Sequence, residues 1–260
     1  MRIIIIKRQV LIQIAVILVL IAVVLLILHQ TGTIALGVFF AANRELPIYS
    51  VDVPDKRIAI SFDASWGAEQ TDQLLKVLKE RNIKTTFFLV GIWIDKYPDK
   101  VKAIANDGHE IGNHSNTHPH MNKLSEQQIR DELDKVSQKI EALTGKKTTL
   151  FRPPFGEYND KVVRTARAAG YEVIQWDVDS LDWKNYGVED EVDRVLKKVR
   201  NGSIVLFHND AEYTPQALPI ILDKLIQDGY KIVPVSELIY PPPYYIDHTG
   251  RQFKSGDTDK

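Results

Sequence analysis

Residues 57–66 read RIAISFDASW, and this stretch decides the fold class. Its first six residues form a short, mostly apolar run, which is typical of a strand buried in a sheet. Asp63 follows the run, and a helical pattern covers residues 71–81. An apolar strand, a polar strand end and a returning helix make up the unit from which parallel α/β sheets are built.

The same unit recurs along the chain as far as residue 238. The predicted strands cover residues 57–62, 85–90, 109–112, 150–151, 172–175, 203–207 and 231–233. The predicted helices cover residues 71–81, 98–106, 125–145, 160–169, 188–200 and 215–228. This alternation predicts an α/β fold with about seven parallel strands, as an open sheet or a closed barrel. In both, ligands bind at the C-terminal ends of the strands.

The longest predicted helix carries its own start and stop signals. Ser125 is expected to cap it, with Gln128 closing a capping box three residues later. Gly145 stands where a left-handed C-terminal residue is needed. These signals predict a structural helix with one buried face.

Charge and composition exclude several classes of function. The 260 residues contain 33 Lys and Arg against 34 Asp and Glu, so the net charge of −1 gives no electrostatic basis for binding nucleic acid. The sequence contains neither G-x-G-x-x-G nor G-x-x-x-x-G-K-[ST], the glycine-rich motifs that bind phosphate groups, so a nucleotide is not expected. Cysteine is absent, so any metal must be held by histidines and carboxylates.

The N-terminal 30 residues differ from the rest of the chain. Arg2, Lys7 and Arg8 precede an apolar run over residues 10–28 that is interrupted only by Gln13. A helix of this length spans roughly 28 Å, enough to cross a bilayer core. The preceding cations predict a cytoplasmic N-terminus and an exported remainder, anchored in the cell membrane. A cleaved signal peptide ending near residues 35–37 is the alternative, and it would give a secreted protein.

The predicted domain organisation has four parts. Residues 1–30 form the cytoplasmic cap and transmembrane anchor, and residues 31–55 a stalk. Residues 56–240 form the α/β domain. Residues 241–260 open with three prolines and become polar, so they are expected to leave the domain as a loosely ordered tail.

Five polar clusters fall at predicted strand ends. They are SFDASW at residues 61–66, HSNTHP at 114–119, RPPFG at 152–156, DSLDW at 179–183 and IVLFH at 204–208. Taken singly, each has an ordinary structural explanation, such as a helix cap or a hydrogen-bonded core histidine. The pair His114 and His118 has the spacing of two ligands of zinc or another borderline metal. Five clusters in strand-end order favour one shared site.

These clusters, in this order, resemble the motifs of the polysaccharide deacetylases with a NodB-homology domain, carbohydrate esterase family 4. The resemblance covers about residues 57–240 and implies a distorted (β/α) barrel, often with seven strands. It implies metal-dependent hydrolysis of the N-acetyl group of amino sugars in a cell-wall polysaccharide, peptidoglycan or chitin-like, with release of acetate. The SFDASW variant with an N-terminal anchor resembles the membrane-anchored sporulation-type enzymes of spore-forming Gram-positive bacteria.

The resemblance also implies roles for individual residues. The implied machinery is Asp63 as general base, Arg152 holding Asp63, His208 as general acid, Asp182 orienting His208, and His114 and His118 as metal ligands. Trp183, Leu206 and Phe155 are the implied substrate-binding residues, around a small apolar pocket for the acetyl methyl group.

One position departs from the family pattern. Ala64 stands where a second aspartate usually completes the set of metal ligands, so the affinity for zinc, or for cobalt or nickel in its place, is expected to fall. Asp63 itself could coordinate the metal, which would compromise its role as base, and Glu69 is the nearest other carboxylate along the chain. The alternative function is therefore a catalytically weakened glycan-binding or scaffold protein on the same fold.

Overall fold

The computed structural model describes residues 8–30 and 44–256, which fall into two compact units divided after Arg44. The first unit contains helix α1, Arg8–Gln30. Within the described residues we find no helix of sufficient length and apolarity to span a membrane. Arg2, Lys7, most of the predicted stalk and the last four residues lie outside the described part of the chain.

The second unit contains every strand described. In chain order these are β1 Ser50–Val51, β2 Arg57–Ala64, β3 Thr86–Leu89, β4 Glu110–Asn113, β5 Leu150–Phe151, β6 Glu172–Val173, β7 Val178–Asp179, β8 Ile204–His208, β9 Lys231–Ile232, β10 Tyr244–Ile246 and β11 Arg251–Lys254.

Eight helices of this unit cover the strands or connect them. They are α2 Thr71–Glu80, α3 Gly91–Lys96, α4 Pro98–Asn106, α5 Glu126–Thr144, α6 Asp160–Ala168, α7 Val188–Lys198, α8 Thr214–Gln227 and α9 Val235–Leu238.

Seven parallel strands form a curled sheet, a half-barrel, in the order β6-β5-β4-β3-β2-β8-β7. β9 pairs with the beginning of β2. The α/β class and the parallel sheet predicted from the sequence are therefore confirmed. All seven predicted strands are present, and β7 is an additional strand that the sequence pattern did not indicate.

The register of the central strands brings their polar ends together. Asp63 at the end of β2 is paired directly with His208 at the end of β8, and Asn113 at the end of β4 is paired with Phe151 of β5. Stacked aromatic rings fix this register from the helix side: the ring of Phe62 lies 4.8 Å from that of Phe87 and 5.8 Å from that of Phe207, measured between centroids. These rings are fully buried and remove a large apolar area from water.

The signals predicted for the longest helix are all present. The Ser125 side chain accepts a hydrogen bond from the Gln128 backbone, and the Gln128 side chain accepts one from the Ser125 backbone, so the capping box is complete. Gly145 has a φ of 69° and ends the helix in the left-handed conformation. The capping box and this glycine satisfy backbone groups that would otherwise be unpaired at the two ends of α5.

The predicted ends of the domain are wrong on both sides. The compact unit begins at Glu45, and Ile48 and Val51 in the predicted stalk are fully buried. At the other end, β10 and β11 form an antiparallel hairpin, and β11 pairs with β1. Residues 244–254 are therefore part of the folded unit and not a loose tail. Pairing between the two ends of the compact unit, which no local pattern encodes, explains both differences.

Candidate active site

A cavity of about 710 Å³ opens at the C-terminal ends of the strands, where the polar clusters were expected to meet. Seven of the predicted site residues line it: Asp63, His114, His118, Phe155, Trp183, Leu206 and His208. The other two, Arg152 and Asp182, are fully buried behind this lining. The structure therefore brings all the predicted residues together.

Asp63 is a buried carboxylate held by Arg152 and lying next to His114. Its Oδ1 accepts a 2.7 Å hydrogen bond from Nη1 of Arg152, and its Oδ2 lies 3.4 Å from Nε2 of His114. Burial by itself would raise the pKa of Asp63, but the charge of Arg152, with those of His114 and His208, outweighs burial and lowers it. Asp63 is therefore ionised at neutral pH and able to accept a proton.

Arg152 is positioned by the rigid segment that follows β5. Its Nη2 donates to Oγ of Ser61 at 2.8 Å and to the carbonyl of Gln175 at 3.1 Å, and its guanidinium stacks on Phe88 at 4.1 Å. A buried guanidinium with this many partners has one orientation, so it also fixes the orientation of Asp63.

The rings of His114 and His118 pack edge to face in the cavity lining, with centroids 5.0 Å apart. Nδ1 of His114 lies 2.7 Å from the carbonyl oxygen of Arg152 and must donate to it, which leaves the Nε2 lone pair free. Burial lowers the pKa of both histidines, that of His118 to about 4, so both rings are neutral at pH 7. Neutral imidazoles are the form that binds metal ions.

The residues around this pair fit a metal held by two imidazoles but not the three-ligand set of a catalytic zinc site. Ala64 is fully buried at the end of β2 and offers no ligand, and Glu69 is not part of the cavity lining. No group of three or more candidate ligand side chains exists among the described residues. Nδ1 of His118 is buried without a hydrogen-bond partner there, so this ring is less firmly fixed than His114.

His208 has a stronger partner. Its Nδ1 lies 2.7 Å from Oδ1 of Asp182, and its backbone N–H donates to Oδ2 of the same carboxylate at 2.6 Å. Burial would lower the pKa of His208, but the hydrogen bond and charge of Asp182, with the charges of Asp63 and Asp210, raise it to about 9. His208 is therefore protonated at neutral pH and able to donate a proton.

Apolar and aromatic side chains form the cavity walls. Leu206 is buried, whereas Trp183 and Phe155 each expose more than half of their surface. Phe155 contacts His118 with 4.4 Å between ring centroids. Sequence reasoning missed Trp66, which is 60% exposed and packs its ring 5.4 Å from that of His118. Its place three residues after Asp63, in the first polar cluster, was the available signal.

Comparison with known proteins identifies the family. The sequence profile of the family described as "Polysaccharide deacetylase" matches residues 50–174. A peptidoglycan-N-acetylglucosamine deacetylase of Bacillus cereus is 38% identical over 190 residues, which cover 71% of this chain and 89% of that protein. The chain belongs to the polysaccharide deacetylase family. The resemblance predicted from the five polar clusters is confirmed, and the named relatives are hydrolases that remove acetyl groups.

Other relatives of this polysaccharide deacetylase are less well defined in function. The uncharacterized protein YlxY of Bacillus subtilis is 35% identical, and the matched segments cover 74% of this chain and 60% of YlxY. The crystal structure of BA3943 from Bacillus anthracis, described as a CE4 family pseudoenzyme, is 38% identical with a TM-score of 0.72, covering 75% of this chain and 69% of that one. A mutant of BA3943 is described as having restored enzymatic activity.

Proposed function

We propose that this protein hydrolyses the N-acetyl group of amino sugars in cell-wall glycan, peptidoglycan or a chitin-like polymer, and releases acetate. One observation carries the proposal: an ionised carboxylate and a protonated imidazole lie on paired residues of β2 and β8 and face the same cavity. Amide hydrolysis needs this combination, because the attacking water must lose a proton and the leaving nitrogen must gain one.

In the proposed reaction Asp63 accepts the proton of the attacking water, and Arg152 keeps Asp63 ionised and pointed into the cavity. His208 gives its proton to the leaving nitrogen, and Asp182 stabilises the imidazolium before transfer. A divalent metal held by His114 and His118, zinc or else cobalt or nickel, would lower the pKa of the water and polarise the carbonyl group. The buried Leu206 suits the acetyl methyl group, and the exposed faces of Trp183 and Phe155 suit the sugar ring.

The incomplete ligand set supports a second candidate function, glycan binding without turnover. Ala64 removes the third metal ligand, and a similar structure is described as a pseudoenzyme. Hydrolysis stays the first proposal because Asp63, Arg152, Asp182 and His208 are all present, and binding alone requires neither an acid nor a base.

Acetate release separates the two functions. The full-length protein, kept in solution with mild detergent, is incubated with peptidoglycan and chitin oligomers, first without metal and then across zinc and cobalt titrations. Metal-dependent release that is lost in His208→Ala establishes the hydrolase. Binding of the same oligomers without release at any metal concentration establishes the second function.

We further propose that the domain acts outside the cytoplasm, at the cell membrane, in a spore-forming bacterium during sporulation. The cations and apolar run of residues 2–28, the SFDASW cluster and the extracytoplasmic location of cell-wall glycan support this. Cell fractionation and protease accessibility during sporulation test it. Recovery of the intact chain in the cytoplasmic fraction contradicts it, and recovery of a shortened chain in the medium indicates a cleaved signal peptide.

A further inference from the structure

A second buried acid lies behind His208 and Asp182. Glu191 stands in the first turn of α7, and only 1% of its surface is exposed. It forms no ion pair with any of the described residues, and its Oε1 has no hydrogen-bond partner among them. A buried carboxylate without a cation is costly, so its protonation state needs an explanation.

The hydroxyl group of Thr214 connects this acid to the site. Oγ1 of Thr214 lies 3.1 Å from Oε2 of Glu191 and 3.3 Å from Oδ2 of Asp182. Thr214 is fully buried at the start of α8. Its hydroxyl has one hydrogen and can therefore donate to only one of the two carboxyl groups at a time.

Counting the protons distinguishes two arrangements of the hydrogen bonds that connect Glu191, Thr214 and Asp182. With both carboxyl groups ionised, two buried anions compete for one hydrogen, and one of them loses a donor. With Glu191 protonated, Glu191 donates to Thr214 and Thr214 donates to Asp182. Asp182 then accepts from Thr214, from Trp183 N–H and twice from His208. Only the second arrangement gives the hydroxyl a donor, gives Asp182 a full set of donors and leaves a single negative charge.

The surrounding charges also favour the protonated acid. Among the described residues, three polar groups surround Glu191. Asp182 faces it from the segment after β7, and Asp190 precedes it on α7. Thr214 contacts it from α8. The cation nearest along α7, Arg194, is hydrogen-bonded to Asp190. Burial raises the pKa of Glu191, and the charge of Asp182 adds to this, to about 7. The partial positive charge at the N-terminus of α7 acts in the opposite direction but does not outweigh burial.

We propose that Glu191 is a positioning residue, held as a neutral acid, that donates through Thr214 to Asp182 and so leaves Asp182 as the one anion of the pair Glu191 and Asp182 behind His208. The inference rests on the proposed function, because it assigns Glu191 a role in orienting the proton donor of that reaction. It makes the state of His208 depend on a side chain that never contacts the substrate.

The protonation state of Glu191 is tested without turnover. Infrared difference spectra of the full-length protein at pH values below and above 7 should show the C=O band of a protonated carboxylic acid only at the lower pH. Glu191→Gln should remove this band, and Glu189→Gln, at an exposed position in the same helical turn, should leave it. A band that Glu191→Gln leaves unchanged, or no band at the lower pH, overturns the proposal.

Stability gives a second readout with a defined sign. The folded-state pKa of Glu191 is raised from 4.5 to about 7, so its contribution to stability is fully present below pH 4.5 and is lost as the pH rises to about 7. The free energy of unfolding of the wild type should therefore fall across this window relative to Glu191→Gln, whose amide cannot ionise. Parallel curves for the two proteins overturn the proposal.

The link to His208 is tested by NMR titration of its imidazole and by the pH profile of acetate release. His208 loses its proton near pH 9, where Glu191 of the wild type is ionised and its charge favours the imidazolium. Glu191→Gln keeps a donor to Thr214 but carries no charge, so the pKa of His208 should fall by several tenths of a unit. Thr214→Val should change the pH profile, and Thr214→Ser should restore it. An unchanged His208 pKa in Glu191→Gln overturns the proposal. Absence of acetate release by the wild type contradicts the proposed function alone, because the spectra, the stability and the His208 titration still report on Glu191.

Discussion

The acid–base groups and the histidine pair line one cavity but differ in how completely they are supported. Asp63 and His208 each have a buried partner, Arg152 and Asp182, at 2.7 Å. His114 has one hydrogen bond to a carbonyl, and Nδ1 of His118 has no hydrogen-bond partner within the described part of the chain. The third position of the ligand set is an alanine.

This difference separates two requirements of the same reaction. Buried charges are stable only when paired, so the geometry of the acid and the base is built into the fold. The metal position depends on ligand number, and two imidazoles give a weaker site than three ligands. We therefore expect substitutions of the acid–base groups and their partners to have large effects that do not depend on metal. Substitutions in the histidine pair should have effects that depend on the metal concentration.

The largest expected effect is on turnover. His208→Ala removes the proton donor, and acetate release should fall by about 10²–10⁴-fold at every zinc concentration. Acetate assays over a zinc series check this, with His248→Ala, in the turn of the C-terminal hairpin, as the matched control. Turnover that zinc restores in His208→Ala would show that the acid–base groups and the histidine pair are not separable.

The second effect is on stability. Arg152→Met leaves Asp63 buried without its cation, and the free energy of unfolding at neutral pH should fall by about 3–5 kcal/mol. The folded-state pKa of Asp63 is lowered, so its contribution to stability is present above the unfolded value of 3.8 and is lost as the pH falls below it. Urea denaturation at neutral pH and near pH 3 measures both.

The difference in the free energy of unfolding between the wild type and Arg152→Met should therefore become smaller at the lower pH, where Asp63 of the variant is neutral. Arg164→Met, a change of an exposed arginine on α6, is the control and should unfold like the wild type. An equal difference at both pH values contradicts the assigned charge pairing.

A third prediction concerns the missing ligand. Ala64→Asp should tighten zinc binding by at least about tenfold, because it supplies the carboxylate that completes a three-ligand set. Competition with a chelator measures the affinity, and Ala64→Ser controls for side-chain size. The gain should disappear when His114→Ala is added. No gain in Ala64→Asp would mean that another group already completes the set of ligands.

The smallest expected effect is the stabilisation of the wild type by zinc itself. At a zinc concentration equal to the dissociation constant, binding to the folded state alone raises the free energy of unfolding by about 0.4 kcal/mol. Thermal unfolding over a zinc series should follow this one-site relation, and His114→Ala should abolish it. The same response in His114→Ala would place the bound zinc elsewhere.

The sequence was sufficient for elements with local signals. The helix between Ser125 and Gly145 was predicted from its capping box and its terminal glycine, and both are present. The five polar clusters were predicted to meet because each one falls at a strand end, and parallel strands bring their ends to the same edge. The individual site residues and their roles were implied by the resemblance to the family. Local sequence therefore decided which elements form and which side chains meet.

The remaining features depend on contacts between distant positions. The strands β1, β10 and β11 are each only two to four residues long, and they form because they pair with one another. The connection from Asp182 through Thr214 to Glu191 joins three positions on three different elements, none with a motif of its own. Hydrophobic periodicity carries no information about either.

Residues 48–51, which include β1, connect several segments of the compact unit, and this has a mechanical consequence. The N–H of Ile48 bonds to the carbonyl of Val173, the N–H of Val51 bonds to that of Gly202, and β1 pairs with β11. Tension applied through the chain ahead of Glu45 therefore acts first on the bonds of Glu45 and Leu46 to Asp160 and Arg167 of α6. It then acts on the hydrogen bonds around β1, which connect to three different segments. The domain consequently resists being pulled open from its N-terminal end.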